Sequence, residues 1–116
     1  MSVKTIIAAV LACSVVGAAA LPAQAQRGPS FNCRKARTWV EKTICRDRVL
    51  SDKDRRMASA YNSLLEQSRE GGGPDTDLSG FQAEQRAWLR ERNRCRTRAC
   101  INAAYDKRIN EVTVDY

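Results

Sequence analysis

Residues 31–45 read FNCRKARTWVEKTIC. Thr38 followed three positions later by Glu41 is the pattern of a capping box. In it the threonine hydroxyl and the glutamate carboxylate each accept an amide proton that the first helical turn leaves unpaired. Ala36, Trp39, Val40, Thr43 and Ile44 then follow the three-four step of a helix with one apolar side. Cys33 precedes this helix and Cys45 closes it, so the two cysteines bracket one short segment. A second bracket, Cys95 and Cys100, lies in CRTRACINAAY, residues 95–105.

Apolar spacing is helical through the rest of the chain. Ser51 with Asp54 repeats the capping pattern and predicts the start of a second helix, with Met57, Tyr61, Leu64, Leu65 and Ser68 on its inner stripe. Gly71-Gly72-Gly73-Pro74 ends it, and Asp75-Thr76-Asp77 forms an exposed acidic loop. Ser79 and Gln82 predict the cap of a third helix, whose stripe is Phe81, Gln85, Trp88, Leu89 and Arg92. Arg96-Thr97-Arg98 interrupts the pattern, with Thr97 suited to cap a restart, and Ile101, Ala104, Tyr105, Ile109 and Val112 continue it. Val112-Thr113-Val114 is the one segment whose alternation admits a strand. The expected fold is all-α, a small disulfide-stapled bundle of three to four helices.

Residues 1–25 read as a signal peptide. Lys4 supplies the positive end, residues 6–20 the apolar run, and Ala23-Gln24-Ala25 the small-x-small cleavage site. The expected product is one domain, residues 26–116, periplasmic or secreted, with no transmembrane segment of its own. Val10-Leu11-Ala12-Cys13 faintly resembles a lipoprotein cleavage box, but the apolar run continues past Cys13, so no lipid anchor is expected there. A domain this small gains little from packing alone, and four cysteines in an exported chain of this size read as disulfides.

Three pairings of Cys33, Cys45, Cys95 and Cys100 exist. In an unbroken helix, residues five apart sit about 8.5 Å from each other, beyond the roughly 7 Å that a disulfide tolerates. A Cys95–Cys100 bond therefore requires a helix break, which Thr97 makes credible. A Cys33–Cys45 bond requires a non-helical lead-in before Thr38. Local pairing at both brackets is favoured on this geometry, and a long-range pairing such as Cys33–Cys95 remains open.

The formal charge is +7. Arg90, Arg92, Arg94, Arg96 and Arg98 form a dense basic run. Such a run either solubilises a helix face or meets an anionic glycan or lipid, and the first reading is preferred. Nucleic acid is not expected as a partner. Enzyme chemistry lacks its usual inventory. The chain has no histidine, no serine in a nucleophile elbow, no phosphate-cradling glycine loop, and cysteines assigned to disulfides. No catalytic residue, metal site or cofactor is expected.

The residues carry a specific resemblance. Phe31, Cys33, Ala36, Thr38, Glu41, Ile44 and Cys45 are followed by Leu50, Asp54 and Tyr61. Gln85-Arg86-x-Trp88-Leu89-x-x-Arg92-x-x-Cys95 comes next, then Cys100-x-x-x-Ala104-Tyr105-x-x-Arg108-Ile109. Together they resemble the LprI family, named for a lipoprotein inhibitor of lysozyme, over residues 31–110. The resemblance implies an exported, helical, disulfide-stapled domain that binds and inhibits a lysozyme; a structural or accessory module that meets another envelope protein without inhibiting is the alternative.

Each motif also has a plainer reading. Trp39, Trp88, Tyr61 and Tyr105 sit at stripe positions and are expected in the core rather than on a ligand platform. Glu41 caps Thr38. Asp54 either caps the second helix or pairs internally with an arginine such as Arg92. The candidate binding residues left exposed are Asp75 and Asp77 on the acidic loop and Arg86, Arg90 and Arg94 on the third helix.

Overall fold

The computed structural model describes Gly17, residues 28–73 and residues 75–113. The leader expected at residues 1–25 lies, Gly17 apart, outside the described residues, as does Val114. Within them the fold is all-helical: a short 3-10 turn at Cys33–Lys35, then α1 (Trp39–Arg46), α2 (Arg48–Gly72), α3 (Ser79–Asn93) and α4 (Arg98–Val112). No strand occurs among the described residues, and Val112, read above as a possible strand start, is the last residue of α4.

α1 starts as its capping box dictates. Glu41 N donates to Thr38 Oγ1 and Thr38 N to Glu41 Oε1, both at 3.0 Å. Backbone and side-chain hydrogen bonds with Thr38 hold the Glu41 carboxyl below its usual range, against a smaller opposing effect of burial. The start of α2 differs from the expectation at Ser51. Asp47 is at once the last residue of the α1 turn and the N-cap of α2, accepting Leu50 N–H at 3.1 Å. Ser51 is already inside the helix, buried, and its hydroxyl donates to Ile44 O at 2.6 Å. That bond ties α2 back onto α1 and leaves Ser51 no capping role.

α3 also lacks the cap expected at Ser79. Its N-cap is the buried Leu78, which offers no side-chain acceptor, and Asp77 Oδ1 accepts Ser79 N–H at 2.9 Å instead. α4 restarts at Thr97, whose Oγ1 accepts Cys100 N–H at 3.1 Å. That break brings the Cys95 and Cys100 Cα atoms to 5.5 Å, and the turn before α1 brings Cys33 and Cys45 to 5.9 Å. Both disulfides are therefore local, and the long-range alternative is excluded.

The core lies where α1, α2 and α4 meet. Val40, Ile44, Leu50, Met57, Cys95, Ile101 and Tyr105 are buried together, with Phe31, Tyr61, Trp88 and Ile109 packed against them. The α2–α4 contact is the most extensive, whereas α3 touches its neighbours sparingly. The distal stripe of α2, Leu64, Leu65 and Ser68, is half-buried only, because α2 runs on beyond the elements that would cover it. Trp39 departs furthest from the expectation: it stands first in α1 and is 52% exposed, outside the core. No helix among the described residues is long and apolar enough to cross a membrane.

Candidate functional site

The residues that carry most of the sequence pattern point inward. Asp54 of α2, 1% exposed, accepts Tyr105 Oη at 2.7 Å and both the amide and the hydroxyl of Ser30, at 2.6 and 2.5 Å. Arg92 of α3, 4% exposed, donates to the same Tyr105 oxygen at 3.0 Å and stands 3.8 Å from Asp54 Oδ1. The rest of its guanidinium donates to Asn93 Oδ1 at 3.1 and 2.9 Å. The Phe31 and Trp88 rings flank the cation at 5.8 and 5.7 Å, and Trp88 meets Tyr105 edge-on with centroids 5.2 Å apart. Burial, reinforced by Asp54 and opposed by Arg92, pushes the Tyr105 phenol far above its ordinary value of 10.0.

A second cluster lies beside the first. Arg108 of α4 donates Nε and Nη2 to Gln85 Oε1 at 3.1 and 2.9 Å, and Nη1 to Glu111 at 3.2 Å. Gln85 in turn donates to the Met57 sulfur at 3.2 Å. The two clusters pin α3, the most sparsely packed helix, to α2 and α4. Their polar groups are matched to one another, so they specify the fold rather than offer a reactive centre. Asp54 belongs to the internal ion pair and not to a helix cap, while Trp88 and Tyr105 take the packing role expected of them.

The candidate binding residues are all exposed. Asp75 and Asp77 lie on the loop between α2 and α3. The Ser79 amide and hydroxyl, bonding to the Asp77 carboxylate, hold it below its usual range. Arg86, Arg90 and Arg94 follow one side of α3, and Arg94 reaches Glu91 at 3.4 Å. No hydrogen bond or ion pair among the described residues joins the loop to these arginines, so the fold does not assemble them into one site. The basic run is divided as well. Arg92 is core, and Arg98 grips Asp47, lowering that carboxyl and raising its own guanidinium.

A feature absent from the sequence reading is an open groove of about 880 Å³ between α3 and α4. Trp88, Ala87, Ala103 and Ala104 form its floor, and Glu84 and Glu91 stand along its α3 side. Glu84, Ala87, Trp88 and Glu91 share one helical face, which was legible as a spacing. Trp88 is also a core residue, however, and that role hid the face it shares with short alanines. A smaller cavity of about 330 Å³ lies over the buried ion pair, between Phe31, Tyr61, Gln85 and Leu89.

Comparisons with known proteins agree on one relationship. The family model described as "Lysozyme inhibitor LprI" matches residues 33–114. Proteins named Lipoprotein LprI, from Mycobacterium bovis and from two strains of Mycobacterium tuberculosis, are 29% identical over 91 residues, covering 75% of this chain and 42% of theirs. The chain thus spans less than half the length of these relatives. No solved structure matches.

Proposed function

Because the chain belongs to the lysozyme inhibitor LprI family, we propose that it is an exported binding protein that inhibits a lysozyme. The observation that supports this reading is the family match across residues 33–114, which takes in both disulfides and the four α-helices found among the described residues. In this reading residues 1–25 are a leader and residues 26–116 are the exported domain. The relatives' name, Lipoprotein, is in keeping with an envelope setting. Inhibition asks for no catalytic group here: the protein has only to occlude the enzyme's cleft or hold its substrate-binding face.

Charge sets a condition on that contact. Lysozymes are commonly basic, and a chain of formal charge +7 repels them at long range. A productive complex needs a local acidic or shape-matched surface, and the exposed Asp75-Thr76-Asp77 loop is one such element. The test is a cell-wall clearing assay with purified residues 26–116. Clearing that slows in proportion to added protein supports the proposal, and undiminished clearing at large molar excess rejects it.

One observation favours a second reading. Arg86, Arg90 and Arg94 are exposed along a single side of α3, and Arg86 and Arg90 make no ion pair among the described residues. Such a ridge suits an anionic glycan or lipid. Binding to anionic vesicles that weakens steeply between low and physiological salt would support it, whereas salt-insensitive binding would count against it.

A further inference from the structure

We infer that the groove between α3 and α4 is where a basic lysozyme docks, seating an apolar side chain on Trp88 and cationic groups against Glu84 and Glu91. The inference rests on the lysozyme reading above and adds the place and chemistry of the contact.

α3 presents three faces at helical spacing. Gln85 and Arg92 turn inward to the polar clusters. Arg86, Arg90 and Arg94 form the outward basic ridge. Glu84, Ala87, Trp88 and Glu91 face the groove. The groove is open because α3 and α4 touch little, and because Ala87, Ala103 and Ala104 put methyl groups where longer side chains would fill the gap. Its volume of about 880 Å³ is ample for a protruding side chain and its neighbours. Trp88 packs against the core, edge-on to Tyr105, and its indole N–H points to Ala104 O at a long 3.4 Å, so the ring is held before any partner arrives. An aromatic side chain held in place in this way is the usual anchor of a protein contact.

Charge then selects the partner. The ionised groups facing the groove are Glu84, Glu91 and Glu111 on one side of the balance and Lys107 and Arg108 on the other. Arg108 is committed to Gln85 and Glu111, and the Lys107 amine stands 4.0 Å from the same Glu111. Glu84 has no ion-pair partner among the described residues, and Glu91 meets only the exposed Arg94, a pair that water largely screens. Three carboxylates against two cations leave the groove lining at a net charge of −1, on a protein whose whole is +7. A basic enzyme repelled elsewhere on the molecule is attracted here. The Asp75–Asp77 loop offers acid without an apolar seat, whereas the groove offers both.

The test is inhibition and calorimetric binding of a purified basic lysozyme by the wild-type protein and three variants. The Ala87→Trp variant fills the groove. The double variant Glu84→Arg, Glu91→Arg reverses its rim at exposed positions that carry no core packing. Arg86→Ala alters the neighbouring ridge only. Wild-type inhibition that falls tenfold or more in both groove variants, and is kept by Arg86→Ala, is the expected result. Where Ala87→Trp fails to fold, as judged by its near-ultraviolet spectrum, the charge reversal decides alone. Groove variants that inhibit as well as the wild type overturn the groove while leaving the lysozyme reading intact. A wild-type protein that neither binds nor inhibits overturns both.

Discussion

The Tyr105 hydroxyl donates to Asp54 Oδ1 at 2.7 Å, joining side chains 51 positions apart that are both closed off from water. Arg92 completes the arrangement from α3, donating to the tyrosine oxygen at 3.0 Å while its guanidinium lies between Phe31 and Trp88. α2, α3, α4 and the segment before α1 thus meet at one buried polar point.

Breaking that point from the acidic side leaves Arg92 buried without its counter-charge. Asp54→Ala is expected to destabilise the protein by about 3–5 kcal/mol. Tyr105→Phe removes one hydrogen-bonded hydroxyl and is expected to cost about 1–3 kcal/mol. Urea unfolding of the purified protein measures both. An Asp54→Ala midpoint equal to that of the wild type would show that the buried pair contributes nothing.

The same bond has a signature at alkaline pH. Burial raises the folded Tyr105 value above its unfolded value of 10.0. The contribution to stability is therefore fully present below about pH 10 and is lost as pH rises from there towards the folded value. The Tyr105→Phe variant should show the same tyrosinate absorbance rise as the wild type while both stay folded. It should also lose less stability than the wild type between about pH 9 and 11. A folded wild-type protein with one more titrating tyrosine than the variant would refute the assignment.

Features with local chemistry were legible in the sequence, and those with distant partners were not. Thr38, Glu41 and Thr97 mark their helix starts because each bonds an amide three residues away. The glycine run marks the end of α2 because Gly73 adopts φ 81°, where side chains are strained. Ser51 misleads because its hydroxyl goes to a carbonyl of the preceding helix, a bond that no spacing rule contains. Trp39 misleads because the first residue of α1 stands clear of the helices that cover Val40 and Ile44. The groove escapes notice because the α3 face of Glu84, Ala87, Trp88 and Glu91 shows as a spacing, whereas the sparse contact between α3 and α4 that leaves it open does not.

The disulfides contribute unequally. Cys33–Cys45 closes a span of 12 positions and Cys95–Cys100 a span of 5. On the chain-entropy account each stabilises the fold by roughly 2–3 kcal/mol, the longer span by more. Cys33→Ser with Cys45→Ser should lower the thermal midpoint further than Cys95→Ser with Cys100→Ser. The second pair also borders the α3–α4 groove, so its loss should reduce partner binding beyond what the lost stability explains. Equal midpoints together with unchanged binding would contradict both expectations.

Acid should weaken the fold through Asp47 and Glu41. The Arg98 side chain lowers the Asp47 value from 3.8, and the Thr38 amide lowers that of Glu41 from 4.5. Both values are depressed on folding, so the stability they give is present above about pH 4.5 and is lost as pH falls through the folded values. Arg98→Gln removes the leading cause at Asp47 and should make the loss of stability between about pH 4.5 and 3 shallower. It also removes the link between the start of α4 and the α1–α2 junction, so the variant should begin with a lower urea midpoint near neutral pH. The exposure of the arginine keeps that difference small. Urea midpoints measured from pH 7 to pH 3 for wild type and variant should converge as the pH falls. Parallel curves would place the acid sensitivity on carboxylates other than Asp47.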